Sequence, residues 1–161
     1  MKDIHGNLIL MDIPLTKKLP NMTKTYKLPD EKKAMNDILD YIIYFNLAEN
    51  ADINNVTGSP YFLVGRPVKN RGHRIIFDVR EVNKYVKSPV STYTDCVTTP
   101  LKTIISKYDF LTCIDLRLAY YTIRLSQTAL ESNISQVITD ERCVRFYSPL
   151  TGSNSVPLFF Y

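Results

Sequence analysis

YFLVGRPVKNRGHRIIFDVREVNKYV, residues 61–86, sets two short apolar runs, YFLV and RIIFDV, on either side of a loop rich in Gly and cations. Both runs are β-branched or aromatic and bounded by Gly or Pro, which predicts a two-stranded hairpin with a basic tip. From Arg66 to Lys87 the cations Arg66, Lys69, Arg71, Arg74, Arg80, Lys84 and Lys87 face only Asp78 and Glu81. A solvated hairpin tip is the plain account of such a segment. The sharper account is a clamp for a triphosphate or a nucleic-acid backbone, which needs cations on an arm able to close over an anion.

On the amino-terminal side, Asn7 to Met11 is an extended candidate, and PLTKKLPNMTKTYKLPD follows as an arm without periodicity, expected to lie over a surface. Pro29 and Asp30 then open an amphipathic helix over about residues 30–47, with Met35, Ile38, Leu39, Ile42 and Ile43 at spacings of three and four. ENADINNVTGSP reads as a polar connector. On the carboxy-terminal side, SPVSTYTDCVTT reads as a long connection, and Thr99 and Pro100 cap a short helix carrying Leu101, Ile104 and Ile105. FLTCIDL and YYTIRLS are strand-like, ISQVIT and CVRFYS predict a hairpin turning at Asp140-Glu141-Arg142, and PLTGSNSVPLFFY is a turn-rich tail with an abrupt aromatic end.

The 161 residues are 45% hydrophobic, enough for one ordinary domain or two small subdomains with a packed core. A net charge of +4 permits a polyanionic partner without requiring one. Cys96, Cys113 and Cys143 are odd in number and lack paired metal-ligand spacing, which points away from a disulfide framework or zinc site and toward a reducing compartment. Two histidines, His5 and His73, leave catalysis to carboxylates. No apolar run approaches the ~20 residues of a membrane span, and no targeting signal is visible, so the expectation is an intracellular protein, cytoplasmic or nuclear, without a membrane partner.

Asp115 stands alone in the apolar and aromatic run FLTCIDLRLAYYTIRL, residues 110–125. A carboxylate there must be solvated, hydrogen-bonded or paired with a cation. It either caps the turn at Arg117 or serves as a hard oxygen ligand for Mg²⁺, held on a rigid strand. Ala119 beside Tyr120 and Tyr121 would allow close approach of a flat ligand against an aromatic wall, although strand tyrosines commonly serve packing alone.

Taken in order, these segments resemble the reverse transcriptases of retroviruses and long-terminal-repeat retrotransposons, the gypsy-like group above all, over about residues 23–161. TYKLPDEKKAMNDILDYIIYFNLAENA is similar to the Tyr-x-Leu-Pro arm and charged helix that open that domain. Arg74 with Asp78-Val79-Arg80-Glu81-Val82-Asn83 matches the fingers pattern Arg…Asp-x-Arg-x-Leu-Asn. PLKTIISKYDFLTCIDLRLAYYTIRLS resembles the helix and first catalytic strand of the palm, with its Leu-Asp-Leu-x-x-Ala-Tyr. The resemblance implies that Asp115 is a catalytic aspartate and Mg²⁺ ligand, joined by the backbone carbonyl of Leu116. It implies that the amides of Leu118 and Ala119 hold the incoming triphosphate, that Tyr120 is the gate against a ribose 2′-hydroxyl, and that Arg74 lies on the triphosphate, with Arg66 or Lys69 in the neighbouring lysine's role. Arg71, Arg80, Lys84 and Lys87 fall to the nucleic acid.

RCVRFYSPLTGSNSVPLFFY is similar to the family's Tyr-x-Phe…Pro-Phe-Gly-Leu-x-Asn-Ala-Pro-x-x-Phe-Gln segment but departs from it. The span from Pro149 to Pro157 is one residue longer, the Gly is displaced to Gly152, Leu150 stands where retroviral enzymes carry a nucleotide-contacting Gln, and Tyr161 replaces the final Gln. No Tyr-x-Asp-Asp occurs in the chain. The implied fold class is therefore α+β, reverse-transcriptase fingers plus a partial palm: an antiparallel sheet with flanking helices, truncated before the Tyr-x-Asp-Asp hairpin. The implied organisation is an arm over 1–29, a fingers-like subdomain over 30–98 and a partial palm over 99–161, with room for the fingers to resume within 126–150. The implied function is that of a retrotransposon Pol fragment whose complete enzyme transfers deoxynucleotides by two-metal chemistry with Mg²⁺, its partners being an RNA or DNA template–primer, dNTP and the rest of Pol; alone it would be inactive. A non-catalytic nucleic-acid-binding or interaction module from a retroelement is the alternative, and a fragment too incomplete to fold stably is a third.

Overall fold

The computed structural model describes residues 6–21, 26, 32–52, 54, 57–65, 73–87, 102–110, 112, 119–139 and 141–154. In chain order they form β1 (Leu10–Met11), α1 (Lys32–Tyr44), β2 (Ala48–Ala51), β3 (Tyr61–Gly65), β4 (His73–Phe77), α2 (Arg80–Asn83), α3 (Ala119–Thr122), β5 (Arg124–Leu125), α4 (Gln127–Glu131), β6 (Gln136–Ile138) and β7 (Cys143–Phe146). Residues 102–105 add one helical turn.

The apolar stripe of α1 is why it forms and where it packs: Met35 and Leu39 are buried, and Ile38, Ile42 and Ile43 flank them on the same face. The helix stops at Asn46, which takes a left-handed φ of 53°, so that its amide donates to the Ile43 carbonyl (2.9 Å) and the Leu47 amide donates to that of Ile42 (3.1 Å). That pair of bonds satisfies carbonyls the helix end leaves open, and Asn is among the few side chains that tolerate the conformation.

β3 and β4 pair antiparallel, Tyr61 opposite Phe77 and Gly65 opposite His73, as the two apolar runs predict. Tyr61 and Leu63 point inward while Phe62 and Val64 are more exposed, the two-residue alternation of a half-buried strand. β6 and β7 form the expected hairpin, and β2 joins β7 on its other edge with Ala48 opposite Phe146. These strands and α1 enclose a first core in which Phe77 meets Phe146 edge to face at 5.3 Å. Arg142 fastens the hairpin to the helix through Asp40 at 2.7 Å, and Lys32 pairs with Glu141.

The sequence reading is corrected at three places and extended at a fourth, QTALE, which carried no assignment. AENA, read as connector, is β2; its alanines carry no strand signal of their own, and pairing with β7 supplies the structure. Tyr120 to Thr122, read as the start of a strand, lie in the turn α3, which sends Tyr121 to the first core and Tyr120 to a second. QTALE becomes α4, with Ser126 as N-cap accepting from the Ala129 amide at 3.1 Å. The arm does more than cover a surface. Met11, Ile13 and Leu19 are buried with Val82, Val86, Ile123, Leu125 and Ile134 in the second core, and β1 pairs in parallel with β5. The helix start at Pro29 and Asp30, the basic tip at 66–72, the connection at 88–99, the strand around Asp115 and the tail from 155 lie outside the described residues.

Candidate nucleic-acid groove

Where β4 ends, the backbone amide of Asp78 donates to the Pro60 carbonyl at 2.8 Å, and its side chain turns toward α2. Arg80 lies two residues on and grips that carboxylate with both arms of its fork, Nε and an Nη each at 2.7 Å. The Tyr26 hydroxyl donates to the same carboxylate at 2.6 Å. Arg80 first, and Tyr26 after it, hold the Asp78 carboxyl well below the usual carboxylate range. Asp78 in turn pushes the Tyr26 phenol and the Arg80 guanidinium up. Asp78 is the sheltered member, its side chain 11% exposed against 78% for Arg80, so the acid anchors and the cation is presented to solvent.

Tyr26 stands edge to face with Phe62, ring centroids 5.6 Å apart, and Phe62 is on the outward face of β3. Together with Ile76, Arg80, Asn83 and Gly152 they line an open cleft of about 740 Å³. Its far wall is tied down by Asn83, whose amide donates to the Gly152 carbonyl at 2.9 Å while its Oδ1 accepts from the Asn154 amide at 3.1 Å. Gly152 has φ +98°, and a Cβ there would lie 3.1 Å from Val79 Cγ2, so the turn requires glycine twice over. Leu150 is 1% exposed and belongs to the first core. A planar basic group beside two aromatic rings on the outward face of a hairpin can stack bases and pair with phosphate.

Of the residues singled out from the sequence, Asp115, Leu116, Leu118, Arg66, Lys69 and Arg71 lie outside the described residues. Arg74 is exposed on β4 opposite Val64, and its charge reaches Tyr121 in α3: burial raises that phenol and Arg74 acts in the opposite sense. Arg80 is on the cleft, whereas Lys84, paired with Glu81 at 2.7 Å, and Lys87 stand beyond α2. Sequence reasoning did not assign Tyr26, Phe62, Asn83 or Gly152 to a site. Asp78-x-Arg80 was the signal available, because an acid two residues before an arginine can hold it in place.

Among the described residues no group of three His, Cys, Asp or Glu side chains could hold a metal ion, and no helix is long and apolar enough to cross a membrane. No family model and no curated protein matches the sequence. Solved structures do match. A foamy viral protease–reverse transcriptase in complex with dsDNA aligns with a TM-score of 0.70 and 15% identity over 96% of this chain and 31% of that one. A dRH form with ds DNA gives 0.68 and 16% over 94% and 25%, and a mutant of the prototype foamy virus protein gives 0.71 and 16% over 94% and 19%. The chain spans between a fifth and a third of the length of these proteins, and it has a mixed helix-and-sheet, reverse-transcriptase-like fold.

Proposed function

We propose that this chain is the fingers and first part of the palm of a retroelement reverse transcriptase, of the gypsy-like group that its motifs resemble, and that its cleft takes up the nucleic-acid template. The observation that carries this reading is the Tyr26–Phe62–Arg80 cleft, in which Asp78 holds a guanidinium beside two aromatic rings. The double-stranded DNA held by two of the foamy viral structures supports a nucleic-acid partner.

In the complete enzyme the template–primer and dNTP would meet over the 99–161 segment, the rest of Pol supplying the carboxylates of the Tyr-x-Asp-Asp hairpin. Arg74 would neutralise triphosphate charge, with Arg66 or Lys69 beside it. The amides of Leu118 and Ala119 would hold the phosphates, and Tyr120 would exclude a 2′-hydroxyl. Asp115 and the carbonyl of Leu116 would hold Mg²⁺, which when bound supplies charge stabilisation at the attacking and leaving oxygens.

Fluorescence anisotropy with single-stranded RNA and DNA oligonucleotides tests the cleft. Phe62→Ala is expected to weaken binding about 5- to 150-fold, the loss of one stacked base, with an unchanged melting temperature. Equal affinity in the variant, or no binding by the parent chain, would defeat the reading. In the complete enzyme, Asp115→Asn is expected to abolish deoxynucleotide incorporation while leaving template binding in place.

A further inference from the structure

Lys17 and Lys18 of the amino-terminal arm do not line the cleft, yet the fold holds them in a defined place. Ile13 and Leu19 are each 4% exposed and pin the two ends of a short strap in the second core. Between them the strap runs against residues 85–87. Leu15 bridges antiparallel to Val86, the Thr16 amide and hydroxyl both donate to the Tyr85 carbonyl at 2.7 and 3.0 Å, and the Lys87 amide donates to the Pro14 carbonyl at 2.9 Å.

The next two residues, Lys17 and Lys18, are exposed, and the Lys17 ammonium lies 5.2 Å over the ring of Tyr85. Lys84 and Lys87 flank that ring in sequence and are exposed as well. Lys84 pairs with Glu81; Lys17, Lys18 and Lys87 have no ion pair among the described residues. Like charges gathered on paired segments repel one another, a cost that a polyanion relieves.

We propose that this lysine edge, with Lys17 and Lys18 of the strap at its centre, is a second contact for the phosphate backbone of the nucleic acid held in the cleft. The inference rests on the reading of the cleft given above. Nucleic acid is favoured over an acidic polypeptide by continuity. Arg80 on the cleft and Lys84 on the edge are the first residue and the C-cap of the same helix, α2. Four residues of helix advance about 6 Å, and phosphates follow one another at about 3.4 Å per nucleotide along each strand of a duplex, so a strand leaving the cleft along α2 arrives at the edge within about two nucleotides. Tyr85 adds a ring face among the cations.

The test is anisotropy with a single-stranded oligonucleotide across a salt series, on the full chain. Each lysine engaged with a phosphate contributes about 0.7 to the slope of log K against log salt. Lys17→Gln/Lys18→Gln is expected to reduce the slope by about 1.4, and Lys18→Gln alone by about 0.7, with melting temperatures unchanged. Lys17→Arg/Lys18→Arg is expected to keep the parent slope. If the glutamine variants keep that slope while Phe62→Ala still weakens binding, the edge is not a phosphate contact and the cleft stands. If the parent chain binds no nucleic acid, both readings fall. Binding of poly-glutamate as tight as that of the oligonucleotide, lost in Lys17→Gln/Lys18→Gln and indifferent to Phe62→Ala, would reassign the edge to an acidic polypeptide and overturn the proposal.

Discussion

Asp78 is nearly surrounded, accepting from both arms of the Arg80 fork and from the Tyr26 hydroxyl. A carboxyl held below its ordinary value of 3.8 stabilises the fold at all pH values above that value and loses its contribution as pH falls toward the folded-state value. The melting temperature is therefore expected to drop on acidification from about pH 5 to pH 2, and Asp78→Asn should flatten part of that limb while loosening Arg80 and weakening oligonucleotide binding. At the alkaline end the sign reverses. Burial pushes the Cys143 thiol to about 11 and the Tyr61 phenol to about 12, above their ordinary values of 9.0 and 10.0. Their contribution is present below those ordinary values and is lost as pH rises through the folded ones, because the unfolded chain deprotonates first. Urea melts between about pH 8 and 12 should show midpoints that fall steadily, and Cys143→Ala should remove the earlier part of the decline.

Individual elements are held by close backbone approaches more than by propensity. Residues 57–59 run along β6, where the Ser59 amide donates to the Gln136 carbonyl at 2.8 Å and the Ile138 amide to that of Ser59 at 3.2 Å. Gly58 makes this approach possible: a Cβ there would lie 2.7 Å from Ile138 Cγ1 and 2.8 Å from the Gln136 carbonyl oxygen. A backbone atom cannot turn aside as a side chain can, so Gly58→Ala is expected to cost about 1–3 kcal/mol in a urea melt. Ser126 does two jobs at the start of α4, accepting from the Ala129 amide and donating to Asp12 of the arm. Ser126→Ala should cost about 1 kcal/mol, and Asp12→Ala should cost less, since the cap survives it.

The whole molecule turns on Phe146. It is fully buried on β7, the central strand of its sheet, and its ring reaches Phe77 of the β3–β4 hairpin, so one side chain bridges two separate sheets. Phe146→Ala is expected to cost about 3–5 kcal/mol. The loss should appear as one cooperative transition, with a lowered urea midpoint and an unchanged slope. A biphasic melt would show that the two sheets unfold independently.

Much of this architecture is legible in the chain because its causes are local. The three- and four-residue spacing of Met35, Leu39 and Ile42 marks α1, and the short β-branched and aromatic runs YFLV and CVRF mark strands beside polar or glycine-rich turns. Asp78-x-Arg80 is equally local, since a two-residue separation suffices to clamp the arginine. Other features have no local cause. Nothing in AENA specifies a strand until β7 lies beside it, and the arm has no periodicity because its buried residues answer to a core built from Val82, Ile123 and Ile134. The cleft joins Tyr26 to Phe62 and Asp78 across the fold, and the lysine edge joins Lys17 to Tyr85. Residue chemistry and short-range periodicity therefore settled which segments are helix or hairpin and which cations were available. Tertiary packing alone decided which of those cations stand beside an aromatic ring, Arg80 by Tyr26 and Lys17 by Tyr85, because those rings come from far away in the chain.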